Sequence, residues 1–203
     1  MAEGERVASN VALQQSKYCQ DSNPRFARFF KHQSRQERFH NAVFSFAVRW
    51  ISPKGVCVRG EPEIFDRFES ELNTKLADGH FDDVVLGLQV VLEALGDAFL
   101  DTIDQRMEER NMGLEHLSRV IRLQEQAHQD FGERFLESGH RLNSHRLESH
   151  RLDTPRLRSA AETQVAIIDE LVQAIGPDLE ALDLNPENYS NKVKQAVRSL
   201  DLW

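Results

Sequence analysis

Residues 30–44 read FKHQSRQERFHNAVF, and they place ionisable side chains on the apolar face of a predicted helix. Phe30, Gln33, Glu37, His40 and Phe44 recur at alternating steps of three and four residues, so they share one face of an α-helix. A buried carboxylate is costly unless a cation, a proton or hydrogen bonds compensate for the lost water. The stretch therefore predicts a long amphipathic helix, at about residues 25–51, whose buried face holds a polar site.

A second Glu-x-x-His pair, Glu125 and His128, lies on the apolar face of a helix predicted at about residues 114–138. Glu93 lies midway along the most apolar predicted helix, at about residues 81–110. In each pair the glutamate and the histidine are one helical turn apart, where both can bind the same metal ion. Carboxylate oxygen and imidazole nitrogen together suit a divalent transition metal.

The spacing of the glutamates strengthens this interpretation. Glu93 and Glu125 are 32 residues apart, and the residue 32 positions before Glu37 is Glu5. The pattern Glu-x31-Glu-x-x-His thus occurs twice, each time with room for one antiparallel helical hairpin. The candidate metal ligands are Glu5, Glu37, His40, Glu93, Glu125 and His128. Glu3 is the alternative to Glu5, and hydrogen-bonded structural polar residues are the alternative to a metal site.

The rest of the chain is also helical in its periodicity, and strand signals are almost absent, so we predict an all-α fold. Further helices are expected at about residues 3–19, 62–76, 155–175 and 186–200, with Gly176-Pro177 as a stop signal. Residues 140–154 form a pentapeptide repeat of three copies. Five-residue spacing does not put its histidines on one helical face, so a helix extension or loop is favoured over a metal chelate.

Three of these segments resemble the ferritin-like superfamily. Residues 33–44, 91–96 and 117–132 are similar to the second, third and fourth helices of its non-haem di-iron oxygenases and oxidases, the branch that includes the p-aminobenzoate N-oxygenase type and rubrerythrin-like proteins. The resemblance covers about residues 25–135. It implies a four-helix bundle with additional C-terminal helices, and two carboxylate-bridged metal ions, usually iron with manganese as the alternative, that use dioxygen.

The resemblance implies a single ferritin-like domain over residues 1–203, with a core bundle at about 3–138 and a C-terminal helical extension at about 155–203. It also implies the six ligands named above. Two positions depart from the family pattern: Gln124 stands where aspartate is common, and Ile121 stands where the N-oxygenase type has a further histidine. The second departure weakens the inference of N-oxygenation.

Composition excludes several other classes. The formal net charge of −8 argues against nucleic acid or an anionic membrane as a partner. The first twenty residues lack the apolar core of a signal peptide, and no stretch is apolar enough to span a membrane. Two cysteines, Cys19 and Cys57, are too few for a disulfide framework, so free thiols in the cytoplasm are expected.

Our functional hypothesis is a di-metal oxidoreductase that uses dioxygen on a small organic substrate. The alternatives are a ferroxidase or iron-handling protein, and a metal-free helical binding or scaffold protein. No catalytic residue is identified beyond the ligands. If the chain associates, we expect a symmetric homodimer, the commonest assembly of this kind.

Overall fold

The structure, a computed structural model, describes residues 1–51, 61–110, 115–138 and 154–200. Within these ranges every regular element is helical, which confirms the all-α class; the ferritin-like bundle stays a prediction. The elements are α1 (Ala2–Tyr18), α2 (Pro24–Ile51), α3 (Glu61–Ala77), α4 (Phe81–Val85), a π-helical segment (Leu86–Leu92), α5 (Glu93–Arg110), α6 (Glu115–Ser138), α7 (Thr154–Ala181) and α8 (Pro186–Arg198).

The chain divides into two compact units, Met1–Val84 and Val85–Trp203. That the whole chain forms one ferritin-like domain stays a prediction. The pentapeptide repeat, apart from Thr154, lies outside the described residues, as does Cys57. Among the helices that the structure describes, none is long and apolar enough to cross a membrane.

In the first unit, α1 and α2 form an antiparallel hairpin. The chain turns at Asn23, whose side chain accepts a hydrogen bond of 3.2 Å from the Phe26 amide, and Pro24 opens α2. Three side chains then donate to main-chain carbonyls across the hairpin, at intervals of seven residues: Ser16 to Ala27 (2.8 Å), Ser9 to Ser34 (3.0 Å) and Asn41 to Ala2 (2.5 Å). These three hydrogen bonds fix the register of the two helices.

In the second unit, the prediction of one uninterrupted α-helix over residues 81–110 is wrong at Leu86–Leu92, which form a π-helical segment. All seven of its residues are buried. A π segment adds a residue to the helical turn, so it changes which side chains face the neighbouring helices. Hydrophobic periodicity cannot reveal this change where every position is apolar or buried.

The predicted stop at Gly176-Pro177 is also wrong, because α7 continues through Pro177 to Ala181. A proline removes one main-chain hydrogen bond, but the following residues can remain helical when packing supports them. Leu179 is buried and provides that packing. The chain then turns at Asp183, with φ of 60°, and Asn185 caps α8 by accepting from the Glu187 amide at 2.9 Å.

Candidate metal sites

The first cluster consists of Glu5 on α1 and Glu37 and His40 on α2. The Nδ1 atom of His40 lies 2.9 Å from Oε2 of Glu37 and 3.6 Å from Oε2 of Glu5. Each residue offers a ligand atom within 4.8 Å of the others. Glu37 and His40 are fully buried, and Glu5 is 8% exposed. The hairpin thus brings Glu5 together with the Glu37–His40 pair, as the 32-residue spacing predicts.

The hairpin register explains this meeting. Glu5 lies between the hydrogen-bonded positions Ala2 and Ser9 on α1. Glu37 and His40 lie between the matching positions of α2, residues 34 and 41. Because the helices are antiparallel and in phase, the lone glutamate faces the Glu-x-x-His pair.

Arg6 fixes the start of α1 to α3. Its guanidinium donates to Glu3 at 2.8 Å, to Glu69 at 2.7 Å and to Asp66 at 2.5 Å. Partial burial lowers the pKa of Arg6, but the hydrogen bonds to Glu3 and Glu69 outweigh it and raise the pKa overall. Glu3, the sequence alternative to Glu5, is therefore part of this Arg6 network, while Glu5 belongs to the cluster.

The second cluster consists of Glu93 at the start of α5 and Glu125 and His128 on α6. The Nδ1 atom of His128 lies 3.4 Å from Oε1 of Glu93 and 3.6 Å from Oε2 of Glu125. Here too each residue offers a ligand atom within 4.8 Å of the others. Glu93 and Glu125 are 5% exposed and His128 is 2% exposed. The second unit therefore holds the same ligand types in a similar arrangement.

A glycine lets α6 approach the π segment beside this cluster. A Cβ added at Gly132 would lie 2.6 Å from Cβ of Gln89, a separation that real side chains do not adopt. Gln89 is one turn before Glu93, and Gly132 is one turn after His128. The close contact therefore determines how near the second cluster's two helices lie to each other.

Arg122 joins the same two helices on the other side of the cluster. It contacts Asp97 and Asp101 at 2.8 Å and Asp104 at 2.6 Å. Lys192 of α8 also contacts Asp97 and Asp101, at 2.6 Å and 2.5 Å. We call these five residues the Arg122 network. It holds α5, α6 and α8 together within about three turns of Glu93.

Each cluster therefore combines two carboxylates with one imidazole in a buried setting. In both, Nδ1 is the histidine nitrogen that faces the carboxylates, so Nδ1 is the candidate ligand atom. Two buried carboxylates close together repel each other, and a divalent cation removes that repulsion while using their oxygen atoms. The residues present in each unit are compatible with a metal site.

Several aromatic side chains on the helices that carry the clusters pack against other rings. Phe30 is fully buried and packs edge-on against Phe81, with ring centroids 5.7 Å apart. Phe99 lies against Tyr189, with centroids 4.6 Å apart, and Tyr189 shares a hydrogen bond of 2.7 Å with Thr102. These rings belong to the packed interior of their own units.

Phe131 stacks on Phe135 of the same helix, with centroids 6.0 Å apart. Phe44 is half-buried on α2.

Sequence reasoning missed the supports of both clusters: Arg6, Arg122, Gly132 and the π segment. The arginines looked like ordinary surface charges. Two of the three partners of Arg6 are 60 or more residues away in the sequence, and all three partners of Arg122 lie on α5. The available signal was the pairing of each arginine with a nearby ligand: Arg6 follows Glu5, and Arg122 precedes Glu125 by one turn.

Comparison of the sequence with protein-family models and with curated proteins finds no match. The side-chain chemistry of the two clusters is therefore the main indication of function.

Proposed function

We propose that the chain is a ferritin-like two-metal carboxylate protein that uses dioxygen to oxidise a small organic molecule. The observation that carries the proposal is the repetition of one buried ligand set, two glutamates and a histidine, in both units. A single Glu-x-x-His pair is common on helices. Two such pairs, each with a glutamate from a neighbouring helix beside its histidine, are what a carboxylate-bridged metal protein requires.

Each cluster has a defined role in this proposal. Glu5, Glu37 and His40 would hold one metal ion, and Glu93, Glu125 and His128 would hold the other. The glutamates neutralise the charge of a divalent ion, and the imidazoles add a nitrogen donor that favours iron or manganese over magnesium or calcium. Bound iron would supply the redox chemistry with dioxygen, which no side chain of this set performs alone.

Burial is the second contribution of the chain. With exposures of 8% or less, the six side chains are held away from bulk water. A dry setting strengthens metal–carboxylate attraction and limits side reactions of a reactive centre. The Arg6 and Arg122 networks act as positioning groups, because they fix the helices that carry the ligands.

The first experiment is elemental analysis of protein loaded anaerobically with ferrous iron, and in parallel with manganese. We expect about two metal ions per chain in the wild type. Glu37→Ala and Glu125→Ala should each lose at least one, because each removes a carboxylate from one cluster. Glu162→Ala, an exposed glutamate of α7, is the matched control and should retain both ions.

The outcomes separate the candidate functions. Wild-type protein that binds no iron under these conditions contradicts the proposal and leaves a helical scaffold with buried polar residues. Metal-loaded protein that consumes dioxygen without any organic substrate indicates a ferroxidase instead. Oxygen consumption that depends on an added organic compound, and is lost in both ligand variants, supports the oxidoreductase.

A further inference from the structure

The outer face of α2 carries a basic stripe that none of the functions above uses. The stripe consists of Arg25, Arg28, Lys31, Arg35 and Arg38, all exposed. The one acidic residue between positions 24 and 46 is Glu37, and it is buried on the opposite face. In a chain with a formal net charge of −8, this is a concentrated patch of the opposite sign.

Two exposed aromatic residues extend the stripe toward the end of α2. Phe39 is 49% exposed and Phe46 is 72% exposed. At about 100° per residue, the five cations and both rings fall within an arc of about 140°. The face is about 30 Å long at about 1.5 Å per residue, with cations over its first two thirds and aromatic rings over the last third.

The cations of the stripe are not used in internal ion pairs. Over the ranges that the structure describes, no acidic side chain pairs with any of the five; Arg38 donates to the main-chain carbonyl of Ser34 at 3.3 Å. By contrast, Arg6, Arg122 and Lys192 each contact at least two carboxylates. Internal ion pairs therefore account for Arg6, Arg122 and Lys192, but not for the cations of the stripe.

We propose that this face of α2 binds a protein partner that presents carboxylates beside apolar side chains. Four of the five cations are arginines, which bind carboxylates with two parallel hydrogen bonds. Arginine and phenylalanine are enriched in protein–protein interfaces, whereas lysine is depleted. The two exposed rings supply the apolar area that a desolvated interface needs.

A phosphate polymer or an anionic membrane fits this face less well. The acids of the remaining chain would repel a long polyanion, and this repulsion acts beyond the stripe itself. Exposed rings can also stack on nucleic-acid bases, so the net charge of −8 is the property that disfavours a polyanion. The inference does not depend on metal binding, because the five cations of the stripe are exposed whereas Glu37 and His40 are fully buried.

The test uses the full chain and a fluorescent helical peptide of about 20 residues, long enough to cover the face. The peptide has glutamates on one side and leucine at every third or fourth position. Binding is followed by fluorescence anisotropy at two salt concentrations. We expect saturable binding of one peptide per chain, weakened by added salt because charge attraction contributes to it.

Variants locate the binding surface. Arg28→Glu/Arg35→Glu should weaken peptide binding by about tenfold or more, because both contacts become repulsive. Phe39→Ser/Phe46→Ser should weaken it by about threefold to tenfold. Arg67→Glu/Arg119→Glu changes the net charge equally at exposed positions on other helices, and binding should stay within about twofold of wild type. Circular dichroism confirms that each variant is folded.

Several results would overturn the inference. Equal weakening by the two charge-reversal pairs would show a general charge effect rather than a surface. Tighter binding of a single-stranded oligonucleotide or of anionic vesicles than of the peptide, with the same dependence on Arg28 and Arg35, would assign the face to phosphate. A wild-type dimer that Arg28→Glu/Arg35→Glu dissociates would assign it to a second copy of the chain. Absence of peptide binding would also refute the proposal.

Discussion

The two units hold the same ligand types with different supports. In the first, α1 and α2 are regular helices in register, and the lone glutamate comes from the first turns of α1. In the second, the lone glutamate follows a π segment, and a glycine brings the partner helix close. Each unit has an arginine bound by three carboxylates near its cluster. The ligand pattern is repeated, but the means of positioning it is not.

This difference predicts that the second cluster is the more sensitive to packing. Gly132→Ala should lower the free energy of unfolding by about 1–3 kcal/mol, because the new methyl group overlaps Gln89. The amount of metal bound by the second cluster should also fall in this variant. Urea unfolding and metal analysis measure the two effects.

The matched control is Gly96→Ala on α5, where an added Cβ meets nothing within 4 Å. Alanine is the better helix former, so this variant should gain about 0.5–1 kcal/mol of stability. If both variants behave alike, close approach at Gly132 does not govern the second cluster.

The arginine networks give a smaller effect that tests the comparison in both units. Arg6→Met and Arg122→Met should each cost about 1 kcal/mol, since each removes a cation that contacts three carboxylates. Each substitution should weaken metal binding in its own unit more than in the other. Ligand substitutions combined with each arginine variant, followed by metal titration, separate the two units.

Arg134→Met serves as the control for charge loss, because the Arg134 side chain is 78% exposed and its ion pair with Asp130, at 3.2 Å, lies at the surface of α6. Its removal should change stability by less than about 0.5 kcal/mol. Equal losses in all three arginine variants would contradict a positioning role for Arg6 and Arg122.

The smallest expected effect is a pH dependence specific to the Arg122 network. Burial raises the pKa of Asp101, but hydrogen bonds and attraction from Lys192 and Arg122 outweigh it and lower the pKa overall. Burial lowers the pKa of Lys192, and its contacts with Asp101 and Asp97 raise it overall. The stabilisation should therefore be lost as pH falls below about 3.9 on the acid side and as pH rises above about 10.4 on the basic side.

Lys192→Met tests this dependence by comparison of urea midpoints across pH. The difference between wild type and variant should be constant from about pH 5 to pH 9 and shrink outside that range. Because both side chains are partly exposed, the difference should be small. A difference that grows toward either extreme contradicts the assignment.

Local patterns in the sequence predicted the features that depend on the periodicity of a single helix. The two Glu-x-x-His pairs and their buried faces could be identified from three- and four-residue steps. The 32-residue spacing then paired Glu5 with Glu37 and Glu93 with Glu125. The fold class followed from the same periodicity. Helix ends at the turns were also close to the observed ones, because Asn23, Pro24 and Pro186 act locally.

What the sequence did not predict depends on contacts between helices. The partners of Arg6 and Arg122 follow from tertiary register, which single-helix periodicity does not contain. All seven residues of the π segment are buried, including the polar Gln89, so no exposed face marks the phase of the helix. Pro177 remained inside a helix because Leu179 is packed, a tertiary effect that overrides a local stop signal. The basic residues of the stripe on α2 are visible in the sequence. Only the structure shows that no acidic side chain of the described residues pairs with them.

The seven-residue interval of the hydrogen bonds between α1 and α2 limits how this hairpin can change in evolution. An insertion of one residue in either helix would rotate everything beyond it by about 100° and separate Glu5 from Glu37 and His40. An insertion of seven residues in both helices would preserve the phase, because seven residues complete nearly two turns. Length differences among descendants of this chain should therefore concentrate in the connection at residues 19–23, and within the helices they should come in sevens.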